Sequence, residues 1–239
     1  MSFRIVLVGT THPGNIGASA RAMKNMGLTD LALVAPRRYP DDEATARAAG
    51  ADDLLASAAV VDSLEDAVRD CVFVAGASAR SRAIHWPCLE PRQAAARLRA
   101  ESANGPVAVV FGPENSGLSN TDLDRCDTLL TIPANPGFRS LNLAMAVQVV
   151  AYELRLAGHE SPAPGFEPDA PPATREELEY FYAHLETVLR DIRFLDPDNP
   201  RVLMRRLRRL FVRARPDRNE VNILRGILTA VDRKGTAGD

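Results

Sequence analysis

The sequence predicts an α/β protein, a mainly parallel sheet with helices on both faces, followed by a small helical extension. Three observations point there. Short runs rich in Val, Ile and Leu recur between Ile5 and Ile132, and their continuity marks strands buried on both faces rather than strands of a one-sided sheet. Stretches with helical spacing lie between those runs, the pattern of strand–helix–strand units. Residues 158–173, "GHESPAPGFEPDAPPA", hold five prolines and no apolar period, which reads as an extended linker. The expected organisation is therefore an α/β domain over 1–157, the linker over 158–173 and a helical extension over 174–239.

The elements follow in order. Strands are expected at Ile5–Val8, Leu31–Val34, Val60–Val61, Val72–Ala75, Val107–Phe111 and Leu129–Ile132, because each is a short apolar run bounded by polar or turn residues. Helices are expected at Ile16–Met26, Ser63–Asp70, Pro91–Glu101 and Leu141–Leu156, with a further helix starting near Asn120. In the helix at 141–156, Ser140 stands where an N-cap belongs, Asn142 reads as a first-turn polar residue, and Gly158 marks the end. Past the linker, helical patterns run over 174–193, 200–215 and 219–233. In the middle one Leu203, Leu207, Leu210, Phe211 and Ala214 fall on one face, while Arg205, Arg206, Arg208, Arg209 and Arg213 occupy the rest.

Composition narrows the function classes. Cys71, Cys88 and Cys126 are odd in number and share no CxxC spacing, which argues for reduced, mostly buried thiols and against a disulfide framework or a zinc site. His12, His85, His159 and His184 show neither HxxxH nor HExxH spacing, so no metal is expected. No apolar run approaches the roughly 18 residues that span a bilayer, and the chain opens directly on a strand, so the expected location is cytoplasmic with no membrane partner. The net charge of −2 is nearly neutral, yet eight arginines and a single acid, Asp217, lie between Arg201 and Arg218. Such a patch suits nucleic acid, which the bulk charge conceals.

Three loops at strand ends hold the candidate chemistry. Gly9-Thr-Thr-His-Pro-Gly14 has the glycine spacing of a phosphate loop, but Asn15-Ile16 stand where Lys and Ser or Thr would be needed. The order Gly9, Gly14, Gly17 is not a dinucleotide fingerprint either, and the second strand ends without an acid. A plain helix start and an anion site remain open for this loop, which presents Asn15 and then Arg21 and Lys24. The second loop, "VVFGPENSGLSN" from Val109, places Glu114 between Gly112 and Gly117, two residues that allow close backbone approach. The third, "IPANPGFRSLNLAMAVQ" from Ile132, joins a strand to the helix at 141–156. None of the three alone decides for a ligand over an ordinary connection. All three lie at the carboxyl ends of parallel strands, the edge where open α/β sheets bind ligands.

Together with "RIVLVGTTHPGNIGASARAMKNMG", "GASARSR", "SLNLAMAVQVVAYE", "RRLFVRARP" and "NEVNILRGIL", these loops resemble the SPOUT methyltransferases of the SpoU class, in particular the branch that methylates tRNA ribose. The likeness covers nearly the whole chain. It implies a deep trefoil knot near the C-terminal end of the α/β domain, S-adenosylmethionine as cofactor, and a homodimer that binds tRNA. The implied reaction is methylation of the ribose 2′-hydroxyl of cytidine or uridine 32 in the anticodon loop. Arg21 is the implied catalytic residue, with Asn15, Glu114, Ser140 and Asn142 orienting ribose and loops. A guanidinium stays protonated, so Arg21 is expected to hold phosphate and stabilise alkoxide charge rather than act as base. Cofactor contacts are implied at Ala77, Ser78, Ala79, Gly112, Ile132, Arg139, Ser140 and Leu141, and phosphate contacts are expected at Arg82, Arg205, Arg208 and Arg209. Methylation of ribosomal RNA is the same-class alternative, against which the C-terminal extension argues. A non-catalytic knotted RNA-binding module is the other, disfavoured by the joint presence of Asn15, Arg21, Glu114, Ser140 and Asn142.

Overall fold

A computed structural model describes residues 3–78, 87–158, 170–196 and 202–235. The chain forms two compact units, Met1–Pro164 and Gly165–Asp239. Most of the expected linker, along with Ala79 and Arg82, lies outside the described residues.

The first unit is built on seven parallel strands in the order β3-β2-β1-β6-β4-β7-β5. They are β1 (Phe3–Val8), β2 (Asp30–Val34), β3 (Ala59–Val61), β4 (Phe73–Ala77), β5 (Cys88–Leu89), β6 (Val107–Phe111) and β7 (Thr128–Leu130). Alternation sends neighbouring residues to opposite faces. Ile5, Leu7, Leu33, Val109 and Phe111 join one core with α1 (Pro13–Asn25), α2 (Asp42–Ala48), α3 (Asp52–Ser57), α5 (Pro91–Glu101) and α7 (Leu143–Ala157). Val6, Val34, Val74 and Val110 join the other, covered by α4 (Leu64–Val68) and the end of α6 (Asn120–Leu123). Burial on both sides is why these strands read as unbroken apolar runs.

The structure departs from the expected elements where they are short. α2, α3 and β5 have seven, six and two residues, too few to set up a period. The last expected strand sits earlier, at Thr128–Leu130, where the N–H of Leu129 donates to Pro87 O and that of Thr131 to Leu89 O. Ser140 is not the cap of α7. That helix begins at Leu143, and Asn142 Oδ1 accepts the N–H groups of Ala144 and Met145 at 3.0 and 3.4 Å.

The glycines of the first loop also find their reason. Gly9 has φ +58°, a left-handed turn that lets β1 leave the sheet. A Cβ at Gly17 would lie 1.9 Å from Ala44 O, so α1 and α2 meet backbone to backbone there.

The second unit packs α8 (Arg175–Asp191), α9 (Leu203–Ala214) and α10 (Arg218–Gly235) around Leu178, Phe181, Tyr182, Val188, Val221 and Leu228. A capping box starts α8, with Thr174 and Glu177 serving each other's N–H groups. Of the expected packing face of α9, Phe211 meets this core, its ring edge-on to Phe181, whereas Leu210 and Ala214 are exposed and Val212, outside that face, is buried. Among the described residues no helix is long and apolar enough to cross a membrane.

Candidate active site

β1, β6, β4 and β7 are consecutive neighbours in the sheet, so the loops that follow them share one edge. The loops after β6, β4 and β7 enclose a cavity of about 600 Å³. Seven of the sequence-expected cofactor residues line it: Ala77 and Ser78 after β4, Gly112 after β6, and Ile132, Arg139, Ser140 and Leu141 between β7 and α7. Ala79 and Arg82 lie outside the described residues. Phe111, Leu130, Leu143 and Ala146 supply apolar wall that loop motifs alone did not indicate, since they are core positions of strand and helix. The threonine of β7's exit, Thr131, ties the β4 loop in place by donating Oγ1–H to Ser78 O at 3.0 Å.

Gly112 is required by the loop itself. A Cβ there would lie 2.2 Å from Leu118 N, because the chain doubles back across the strand end and closes with Gly117 N–H donating to Pro113 O at 2.8 Å. Gly117 takes φ +65° to make that return. The turn aims Glu114 back across the sheet edge at the start of α1.

There the Glu114 carboxylate is fully engaged. Oε2 accepts from Thr11 N at 3.0 Å and Thr11 Oγ1 at 2.8 Å, and Oε1 accepts from His12 N at 3.2 Å and Asn15 Nδ2 at 2.8 Å. His12, the N-cap of α1, offers no side-chain cap of its own. The anion at this helix start is thus an internal one, held where the helix dipole and unpaired N–H groups favour negative charge. Asn15 continues the chain of contacts, its Oδ1 accepting from Asn142 Nδ2 at 3.0 Å, while Asn142 caps α7. Glu114, Asn15 and Asn142 therefore lock three loops to each other from beside the cavity.

The electrostatics of Glu114 follow. Burial opposes its ionisation, but the Thr11 N–H, the Asn15 amide, its own N–H and the Thr11 hydroxyl outweigh that effect, and the pKa is pushed down from 4.5 to about 2. A carboxylate so acidic, with both oxygens occupied, is a poor base at neutral pH and acts as a positioning anchor. Thr11, which no motif had singled out, provides two of the four bonds.

Arg21 is set apart. It is exposed on α1 and does not line the cavity of its own chain. In the second unit, Arg208 is drawn inward: Nη1 and Nη2 donate to Glu179 at 2.6 and 2.8 Å, and the guanidinium sits 4.3 Å from the centre of the Tyr182 ring. Arg205 and Arg209 are half-buried on the same helix, and Arg206 and Arg213 are exposed.

The model of the SpoU rRNA Methylase family matches residues 2–152, and that of the tRNA methyltransferase TrmJ C-terminal domain matches residues 176–239. The chain belongs to the SpoU methylase family. A relative from Cronobacter sakazakii named tRNA (cytidine/uridine-2'-O-)-methyltransferase TrmJ is 50% identical over 236 residues, covering 97% of this chain and 96% of that one. A Pseudomonas aeruginosa relative, whose name adds adenosine to the accepted nucleosides, is 53% identical, covering 95% and 92%. The crystal structure of TrmJ from Z. mobilis superposes with a TM-score of 0.85 at 38% identity, covering 97% of this chain and all of that chain. The SpoU family chain thus has the SPOUT fold expected from its sequence, a parallel α/β sheet covered on both faces and followed by helices.

Proposed function

We propose that the chain is a tRNA 2′-O-methyltransferase that uses S-adenosylmethionine to methylate the ribose of cytidine or uridine 32 in the anticodon loop, working as a homodimer. The observation that carries this reading is the Glu114–Asn15–Asn142 chain of hydrogen bonds beside a cavity of about 600 Å³. That size falls within the range of about 300–1,000 Å³ usual for small-molecule sites. Apolar walls from Phe111, Leu130, Ile132 and Leu143 suit a purine, and the ionised Glu114 on one wall suits a cationic sulfur. The cofactor supplies an electrophilic methyl group on sulfonium.

The chain's own residues do the rest. Methyl transfer to a hydroxyl is an in-line displacement, and holding oxygen and methyl at contact distance supplies up to about 7–11 kcal/mol in well-oriented cases. Ser140, on the cavity wall, is the candidate to hold the ribose, and Asn15, bonded to both Glu114 and Asn142, keeps the surrounding loops in position. The developing alkoxide needs a cation, and Arg21 is the candidate that the family resemblance gives. Arg21 does not line its own cavity, and in the homodimer it would serve the partner's: α1 packs beside α7, whose exposed Met145, Val149 and Tyr152 form an apolar stripe fit for a second copy.

The C-terminal match, residues 176–239, favours tRNA over ribosomal RNA. The test is direct. Purified chain, methyl donor and an anticodon stem-loop are incubated, and the RNA is digested for mass spectrometry. A 2′-O-methylated nucleoside 32 is expected, and none when nucleotide 32 is 2′-deoxy. Methylation only of ribosomal fragments, or none on any RNA, overturns the reading.

A further inference from the structure

Helix α10 is apolar on two faces, and the core of its unit accounts for one of them. Val221, Leu224 and Leu228 point inward. Ile223, Ile227 and Val231, four residues apart, form a second stripe that is 62%, 56% and 36% exposed. Gly226 and Ala230 lie along the same stripe, one step from the isoleucines, and both are exposed. Nothing lies within 4 Å of where a Cβ at Gly226 would stand. Glycine weakens a helix interior, and among the described residues none lies close enough to make use of the space it leaves.

We propose that this face pairs with the same face of α10 in a second copy of the chain, antiparallel, about a two-fold axis between Gly226 and Ile227. In that register Ile227 lies over the partner's Gly226 and Ile223 over the partner's Ala230, so each bulky side chain meets a small one and the backbones approach closely. The charges agree. Glu220, at the N-terminal end of the stripe, comes opposite the partner's Arg233 at the C-terminal end. Its Oε2 accepts the N–H of Asp217 at 2.8 Å. A parallel pairing would set isoleucine on isoleucine, glycine on glycine and Glu220 on the partner's Glu220. It fails on shape and charge together. RNA is the poorer occupant because the stripe is aliphatic, and the arginine-rich surface of this unit is on α9.

The pairing rests on the homodimer reading for its strength, since two units tethered to one dimer meet at a raised effective concentration. Its contribution is to set the two C-terminal units in a defined relation, so that one tRNA meets a paired surface rather than two independent ones.

Cross-linking of the full chain tests it, in a Cys88→Ser background because Cys88 is the exposed native thiol. The double variant Ile223→Cys/Ala230→Cys is expected to give a covalent dimer on mild oxidation. Each single variant is not, because in the antiparallel register identical residues of the two copies stand about 10 Å apart along the helices, beyond the roughly 7 Å limit for a disulfide. Adding Ile227→Asp to the double variant is expected to abolish the cross-link while sedimentation still reports a dimer and circular dichroism a native helix content. A sedimenting dimer without cross-link in the double variant overturns the pairing alone. Cross-linking by the single variants overturns the antiparallel register. A chain that sediments as a monomer overturns the homodimer reading and the pairing with it.

Discussion

Asn15 and Asn142, 127 residues apart in sequence, meet side chain to side chain, Asn142 Nδ2 donating to Asn15 Oδ1 at 3.0 Å. Each also holds a second structure in place: Asn15 donates to Glu114, and Asn142 caps α7. A contact of this kind passes a positional error from one loop to the next. Asn142→Ala is expected to cost about 1 kcal/mol of stability through the lost cap and to lower kcat with little effect on KM for the methyl donor. Asn15→Ala should lower kcat as well. In the double variant the losses should be less than additive, because both remove the same contact. Additive losses in the kinetic cycle would separate the two residues.

Glu114 gives a pH signature. Its folded pKa of about 2 lies below the ordinary 4.5, so the folded state binds its proton less readily than the unfolded one. The stability it contributes is fully present above about 4.5 and is lost as pH falls from there through about 2. Glu114→Gln leaves an amide N–H facing the donors of Thr11 and His12, and should destabilise the chain by about 1–2 kcal/mol at pH 7. Urea unfolding at several pH values checks this. The gap between wild type and variant should be constant from pH 7 to 5 and shrink at pH 3.5. A gap that persists unchanged at low pH would assign the bonds to some other group.

How far the sequence disclosed this site is a matter of distance along the chain. The long strands and α5 and α7 were legible because burial writes itself into continuous or periodic apolar patterns. The two-residue β5 and the short helices α2 and α3 leave no such trace. Ser140 and Asn142 are both good caps, and only the backbone path, with Asn142 at ψ 142°, decides between them. Glu114 was legible as a residue of interest, but its partners were not. They are about 100 residues away and meet it only because β6 lies beside β1. The inward turn of Arg208 is the same case, its partner Glu179 lying 29 residues back.

The exposed Arg21 leads to a prediction about subunits. If Arg21 serves the partner's cavity, a dimer that combines one Arg21→Ala chain with one Ser140→Ala chain has one site with both residues intact and one with neither. Co-expressed with different tags and purified as the mixed dimer, it should recover about half of wild-type turnover, although each homodimer is nearly inactive. A cavity served by its own Arg21 would leave every site of the mixed dimer defective. No recovery would therefore place Arg21 within its own chain's site.

The last prediction concerns phosphate contacts on α9. Arg208 is held by Glu179 and Tyr182, so Arg208→Gln should cost about 1–3 kcal/mol of stability in the C-terminal unit and be a poor probe of RNA binding. Arg205 and Arg209 lie four residues apart on the same helix, half-buried beside the exposed Arg206 and Arg213, and are the pair to test. Each arginine–phosphate contact releases counterions, so the slope of log affinity against log salt changes by about 0.7–0.9 per contact. Arg205→Gln/Arg209→Gln is expected to bind tRNA more weakly at low salt and with a slope shallower by about 1.4–1.8 if both engage phosphate. The melting temperature, read beside the binding curves, is what distinguishes lost contacts from a lost fold. Equal slopes for variant and wild type would mean that these two arginines do not touch the phosphate backbone.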